Sequence, residues 1–169
     1  MATKDQVTLT LRKEMMTQRG TLLKKFEGYF MVSLFSQIHK SYLARSKGGS
    51  DKYDNFWKPL KKSTIRKKAK KRGKRGAALI NVDSGRSIDS YKPGKVSRSG
   101  YVPHNNDQLF TLKGLTIRLG SKVEYLKFAD NRRPILIGSS VNKMVDKAIK
   151  VALSKLTKDM RRSLKSKGF

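Results

Sequence analysis

The chemistry most densely written into this chain is cationic. Eleven of the eighteen residues from Lys58 to Arg75 are Lys or Arg: Lys58, Lys61, Lys62, Arg66, Lys67, Lys68, Lys70, Lys71, Arg72, Lys74 and Arg75. No acidic residue lies between Asn55 and Val82. Such a tract neutralises phosphates and releases their condensed counterions, a driving force blind to base sequence. The tract reads as a contact for nucleic acid or another polyanion, against the plainer reading of a solvated charge block. No aromatic residue occurs from Lys58 to Arg75, so the stacking platforms of RNA readers are missing there. The expectation is backbone contact rather than base readout.

Other reactive groups are sparse. There are two histidines, His39 and His104, and twelve scattered carboxylates. No carboxylate pair has a spacing that suggests acid–base work or a two-metal centre. His104 and Asp107 alone would make an incomplete metal site. Gly73-Lys74 and Gly94-Lys95 lack the upstream glycine and the following Ser or Thr of a phosphate-binding loop. Asp83-Ser84-Gly85 lacks the glycine that a nucleophile elbow places two residues before its serine. Caps and turns account for these residues. The expectation is a protein that is not an enzyme and uses no metal or cofactor.

The tract does not exhaust the charge. Its 11 cations account for part of a net +28, and +17 remains elsewhere. A surface this basic implies an acidic neighbour and strong self-repulsion. The chain of 169 residues reads as one domain with a lean core, at 37% apolar content. Without cysteine, disulfides and thiolate metal sites are excluded. The opening MATKDQVTLT shows no signal-peptide pattern. The most apolar stretch, Tyr29 to Ile38, is too short to span a bilayer, so a soluble chain without membrane contact is expected.

The elements that must position the tract follow from periodicity. Residues 1–10 read as a flexible arm or short extended piece, with Val7, Leu9 and Leu11 alternating. A long helix is predicted from about Arg12 to Arg45, because Leu22, Phe26, Phe30, Leu34, Ile38 and Tyr42 recur every four residues. Leu23, Met31 and Phe35 widen that stripe, and Gly20 and Gly28 weaken it. Phe56, Trp57, Pro59 and Leu60 read as an anchor that starts the next segment against the core. Ser63 suits a cap for a short helix from Thr64, but six cations from Arg66 to Arg72 repel along it, so 58–76 is expected as a mobile basic loop. Ser84 reads as the N-cap of a single turn through Ser90. Residues 92–108 read as a long polar loop or loose hairpin. Leu115, Ile117 and Leu119 alternate as a half-buried strand, Gly120 to Lys122 as a turn, and Val123 and Tyr125 as a second strand. A final helix is predicted from about Val141 to Leu164, capped by Ser139 or Ser140, with Val141, Val145, Ala148, Ala152, Leu156 and Met160 on one face and 165–169 frayed. The fold class is α+β: long N- and C-terminal helices packed on a small antiparallel β-sheet, with a long basic loop.

Four segments together resemble a known family. Trp57-Lys58-Pro59-Leu60 with Thr64 resembles a W-x-P-L-x-x-x-T opening. Leu79 to Ile88 (LINVDSGRSI) resembles an apolar pair, a small residue before glycine, and a short helix. Ile117 to Tyr125 (IRLGSKVEY) resembles a strand, a turn and a tyrosine, and Arg132-Arg133-Pro134-Ile135-Leu136 an R-P-apolar element before a terminal helix. Their order over residues 56–164 is similar to that of the virion-morphogenesis, or tail-completion, proteins of tailed phages. The chain departs where Lys127-Phe128-Ala129-Asp130 stands in place of a His-x-x-Gly stretch. The resemblance implies a structural neck protein in the virion, assembled in the host cytoplasm as a homo-oligomeric ring of six. Adjacent head-connector and tail proteins would be partners, with genomic DNA a candidate ligand. Phe56, Trp57, Pro59, Leu60, Tyr125, Arg133 and Pro134 would be anchor or interface residues. Asp51, Asp54, Asp83 and Asp89 would be available to a neighbour's cations. The alternative is a cellular, sequence-nonspecific nucleic-acid-binding protein.

Overall fold

The structure, a computed structural model, describes residues 4–72, 78, 80, 85–113, 116–123, 135–136 and 138–166. Side chains are described from residue 20 onward, save 72, 112–113, 116–118 and 138. The fold is α+β. Helix α1 spans Lys4–Ser46, α2 Lys62–Arg72, α3 Arg86–Asp89 and α4 Gly138–Lys165. Between α3 and α4 lie strands β1 (Lys95–Ser97), β2 (Gly100–Val102), β3 (Gln108–Lys113) and β4 (Thr116–Ser121).

Helix α1 begins eight residues before the expected Arg12, so the stretch from Lys4 to Leu11 is helical, not a loose arm. Once a helix exists, each added residue needs no new nucleus, and middling formers such as Val7 and Thr8 propagate it. The stripe from Phe30 to Tyr42 forms the core as expected, with Phe30, Met31, Leu34, Phe35, Ile38 and Tyr42 buried. Leu23, one of the residues widening the stripe, is exposed. Gly48, at φ 81°, ends the helix by donating to the Arg45 carbonyl at 3.0 Å.

Helix α4 runs antiparallel to α1: Gln37 donates to the Met144 carbonyl, while the earlier Tyr29 donates its hydroxyl to the later Asp159. Met144, Ala148 and Ala152, spaced by four, are buried against the bulky residues of α1. Two alanines at the seam let the helix axes approach closely. Val145 is half-buried against the core beside them. Ser140 lies inside α4 rather than capping it; its hydroxyl accepts from Asn55 Nδ2 at 2.7 Å.

The strands form two separate antiparallel hairpins rather than one sheet. β1 and β2 pair Lys95 with Val102 through a two-residue turn, so of the two readings of 92–108 the hairpin holds, over Lys95–Val102. This hairpin packs on α1, where Gly28 makes room for it: a Cβ there would lie 2.7 Å from Val96 Cγ1. Gly28 is thus a packing position, whatever it costs the helix in propensity. β3 pairs with β4 from Gln108 opposite Ser121 to Lys113 opposite Thr116. Gly120 and Ser121 belong to β4, which corrects the expected turn, and β4's partner precedes it in the chain.

Gln108 closes the hairpins onto the core. Its Nε2 donates to the carbonyls of Ser90 and Lys92 at 3.2 and 2.8 Å. Its Oε1 accepts from Tyr101 Oη at 2.6 Å and from the His104 amide at 3.1 Å. All four bonds of the amide are made, which is what burial of a polar group requires. Burial pushes the Tyr101 phenol up to about 12, so it stays a donor. Arg86 at the start of α3 grips Asp107 with two bonds of 2.6 Å, tying α3 to the turn before β3. The N-cap of α3 is Gly85 at φ 81°, not Ser84, which lies outside the described residues.

Candidate nucleic-acid interface

Within the basic tract, Lys62–Arg72 is a helix where a loop was expected. Lys, Arg and Ala are among the better helix formers. Repulsion between exposed cations three or four residues apart is worth only a few tenths of a kcal/mol per pair. Propensity therefore outweighs repulsion over Lys62–Arg72. The helix starts before Ser63, with the Ile65 amide donating to the Lys61 carbonyl at 3.1 Å.

Helical geometry sorts the cations. Ile65, Lys68 and Ala69 are half-buried on one side, while Lys62, Arg66, Lys67, Lys70 and Lys71 are exposed. Lys62, Arg66 and Lys70 succeed one another every four residues, roughly 6 Å apart along the axis. Lys67 and Lys71 make a second row beside them. Lys58 and Lys61, also exposed, lead into the helix. Arg72 is described in its backbone only, and Lys74 and Arg75 lie outside the described residues. Among the described residues, α1 packs on α4, on β1 and β2, and on α3.

The segment before α2 is anchored in the core. Trp57 is 4% exposed, edge-on to Tyr42 at 5.2 Å between ring centroids. Leu60 is half-buried against the same core. Phe56 is 69% exposed, so the expected aromatic pair divides into one anchor and one surface residue. Pro59 is exposed. Tyr125, Arg133 and Pro134 lie outside the described residues.

Behind Trp57 sits a buried charge. Arg45 is 1% exposed, with its guanidinium carbon 4.6 Å from the centre of the indole and its Nε 3.6 Å from Asp51 Oδ2. It also donates to the carbonyls of Ile135 and Ser41. Asp51 accepts from the Ser41 hydroxyl, the amides of Tyr53 and Asn55, and Asn55 Nδ2. Burial pushes the Asp51 carboxyl up, but the hydrogen bonds from Ser41, Asn55 and Tyr53 outweigh it and hold the group below its ordinary range. This cluster corrects the expectation that Asp51 meets a neighbour's cations, because its charge is committed inside the fold. Asp89 pairs with Lys92 at 2.6 Å, Asp54 is exposed, and Asp83 lies outside the described residues. The sequence reading missed Arg45, Gln37 and Gln108 as structural hubs. The available signal was position: Arg45 and Gln37 fall within the apolar stripe of α1, where a polar side chain must find partners.

His39 is half-buried, and burial, then Lys92, lowers its affinity for a proton. His104 is exposed on the turn before β3. Among the described residues no three His, Asp or Glu side chains are grouped to hold a metal. No helix among them is long and apolar enough to cross a membrane. The site's arrangement suits electrostatic contact: a helical bar of exposed cations, carried on a core-anchored tryptophan.

The chain matches no protein-family model, no curated protein and no solved structure.

Proposed function

We propose that this chain is a non-enzymatic structural component of a tailed-phage neck. It forms a closed ring of identical subunits, six by the family pattern, between the head connector and the tail, with α2 turned toward DNA or toward the acidic surface of an adjoining ring. The observation that carries this reading is the ordered series of resembling segments, several of which are joints of one fold. Trp57 is a buried anchor, Ile80 and Ser87 are buried, 117–121 lies in β4, and Ile135 is buried just before α4. A closing ring needs two different faces on each subunit. A channel for a passing genome needs cations that hold phosphate without reading bases. The exposed rows of α2 supply such cations.

Particle assembly tests the reading. Labelled antibody against this chain should mark the head–tail junction in electron micrographs. Particles lacking the chain should be filled heads beside detached tails. Complete particles without the chain would remove the proposal and leave the cellular nucleic-acid-binding alternative, in which α2 acts without a ring.

A further inference from the structure

Helix α4 carries a second set of cations on a firmer support. Its inner face is fixed by burial of Ser140, Met144, Ala148 and Ala152. At 3.6 residues per turn, Lys143, Lys147, Lys150, Lys158, Arg161 and Lys165 fall within one arc of about 80° on a flank of that face. All six are exposed. From Lys143 to Lys165 they extend along about 33 Å of helix.

Among the described residues, none of the six makes an ion pair. The two carboxylates of α4 do not neutralise them: Asp159 is engaged by Tyr29 and Lys25, and Asp146 is exposed at the border of the face. Lys143 and Lys147, and Arg161 and Lys165, are like charges four residues apart, a spacing that weakens a helix. The helix dipole accounts for Arg161 and Lys165 near the C-terminal end. It does nothing for Lys143 and Lys147, which lie beyond the first turn, and that turn holds no acidic residue. The row therefore stands against the electrostatics of its own helix, and an external polyanion relieves it.

The shape of the row narrows the ligand. α4 contains no aromatic residue, so it offers no stacking platform for unpaired bases. A protein-docking face centres on apolar groups. The exposed apolar side chains of α4, Ile149 and Leu153, lie instead outside that arc, on the side of the helix away from the buried face. A straight bar of about 33 Å compares with one turn of duplex DNA, about 34 Å. Laid along a duplex, it meets backbone on both sides of a groove.

We infer that the cationic flank of α4 is a backbone-binding track for double-stranded DNA, separate from α2. The test uses the isolated full-length chain, so its failure would leave the particle experiment on the neck reading untouched. One variant replaces the six α4 cations by Gln. A control of equal charge replaces Lys24, Lys40, Lys47, Lys95, Arg98 and Lys122, which are exposed on α1 and around the hairpins. Affinity for a duplex of about 30 base pairs, roughly three turns, is measured against salt. Every phosphate that is no longer neutralised lowers the slope of log K on log salt by about 0.9. The slope of the α4 variant should fall by at least about 2 more than that of the control, with its helical circular dichroism and melting temperature kept. If the sixfold variant does not fold, the triple variants of Lys143, Lys147 and Lys150 and of Lys158, Arg161 and Lys165 each carry the same comparison. An equal fall in variant and control would show that bulk charge alone binds, and would overturn the track. So would an unchanged duplex slope, and abolished binding to polyglutamate with duplex binding intact would assign the face to an acidic protein instead.

Discussion

Arg45 and Asp51 show how a chain this basic tolerates a charge inside its core. Arg45 is almost fully enclosed, and Asp51, the Trp57 face and two carbonyls satisfy it. Removing one member of a buried pair leaves the other uncompensated, at about 3–5 kcal/mol. Asp51→Ala should therefore lower the unfolding free energy by about 3 kcal/mol or more in urea titration. The pH dependence has a definite sign. The folded carboxyl titrates below its ordinary value because hydrogen bonds from Ser41, Asn55 and Tyr53 outweigh the opposing effect of burial. Its stabilisation is thus complete above the ordinary carboxylate pKa and is lost as pH falls through the lower, folded value. Asp51→Asn should flatten that acid limb of the stability curve while leaving the limb above neutral pH unchanged. An acid limb of the same slope in wild type and variant would refute the assignment.

At the scale of elements, periodicity found the helices and missed half of the strand pairing. The four-residue recurrence from Leu22 to Tyr42 predicts α1, because a core must collect one face of the helix. On α4 the expected face holds in part: Ala148 and Ala152 are buried and Val141, Val145, Leu156 and Met160 half-buried, while Ser140 and Met144, absent from the predicted set, are buried. β3 escaped notice because Gln108 and Thr111 interrupt its apolar alternation. Gln108 is buried only because four partners converge on it, and those come from three other segments. The glycines make a local prediction. A Cβ on Gly94 would lie 1.9 Å from the Val102 carbonyl oxygen, and one on Gly28 2.7 Å from Val96 Cγ1. Gly94→Ala must displace backbone, and should cost more than the roughly 1–3 kcal/mol typical of overpacking. Gly28→Ala meets a movable side chain and should cost less. Thermal melts of the two variants rank them, and the reverse order would contradict this placement of β1 and β2.

For the whole molecule, charge sets the conditions of assembly. Subunits of net +28 repel one another, and the screening length grows from about 10 Å at 0.1 M salt to about 30 Å at 0.01 M. The isolated chain should sediment as a monomer at low ionic strength and associate only when salt or a polyanion screens it. A stable ring at low salt without any partner would overturn this expectation. The cations that must be screened include the rows on α2 and α4, which an acidic channel occupant or partner would neutralise during assembly.

Composition and periodicity by themselves determined the α+β class, the two long helices, the core stripe of α1 and the cationic character of residues 58–75. These are properties of residue order read along one element, so they survive without knowledge of neighbours. Only the tertiary structure decided that the tract forms a helix with an exposed double row, that Trp57 is buried while Phe56 is exposed, and that Asp51 is committed to Arg45. It also decided that six cations of α4 line one exposed flank while its alanines meet α1. The physical reason is common to all of these. Whether a polar or aromatic group is free or engaged depends on groups far away in sequence, and only packing brings them together.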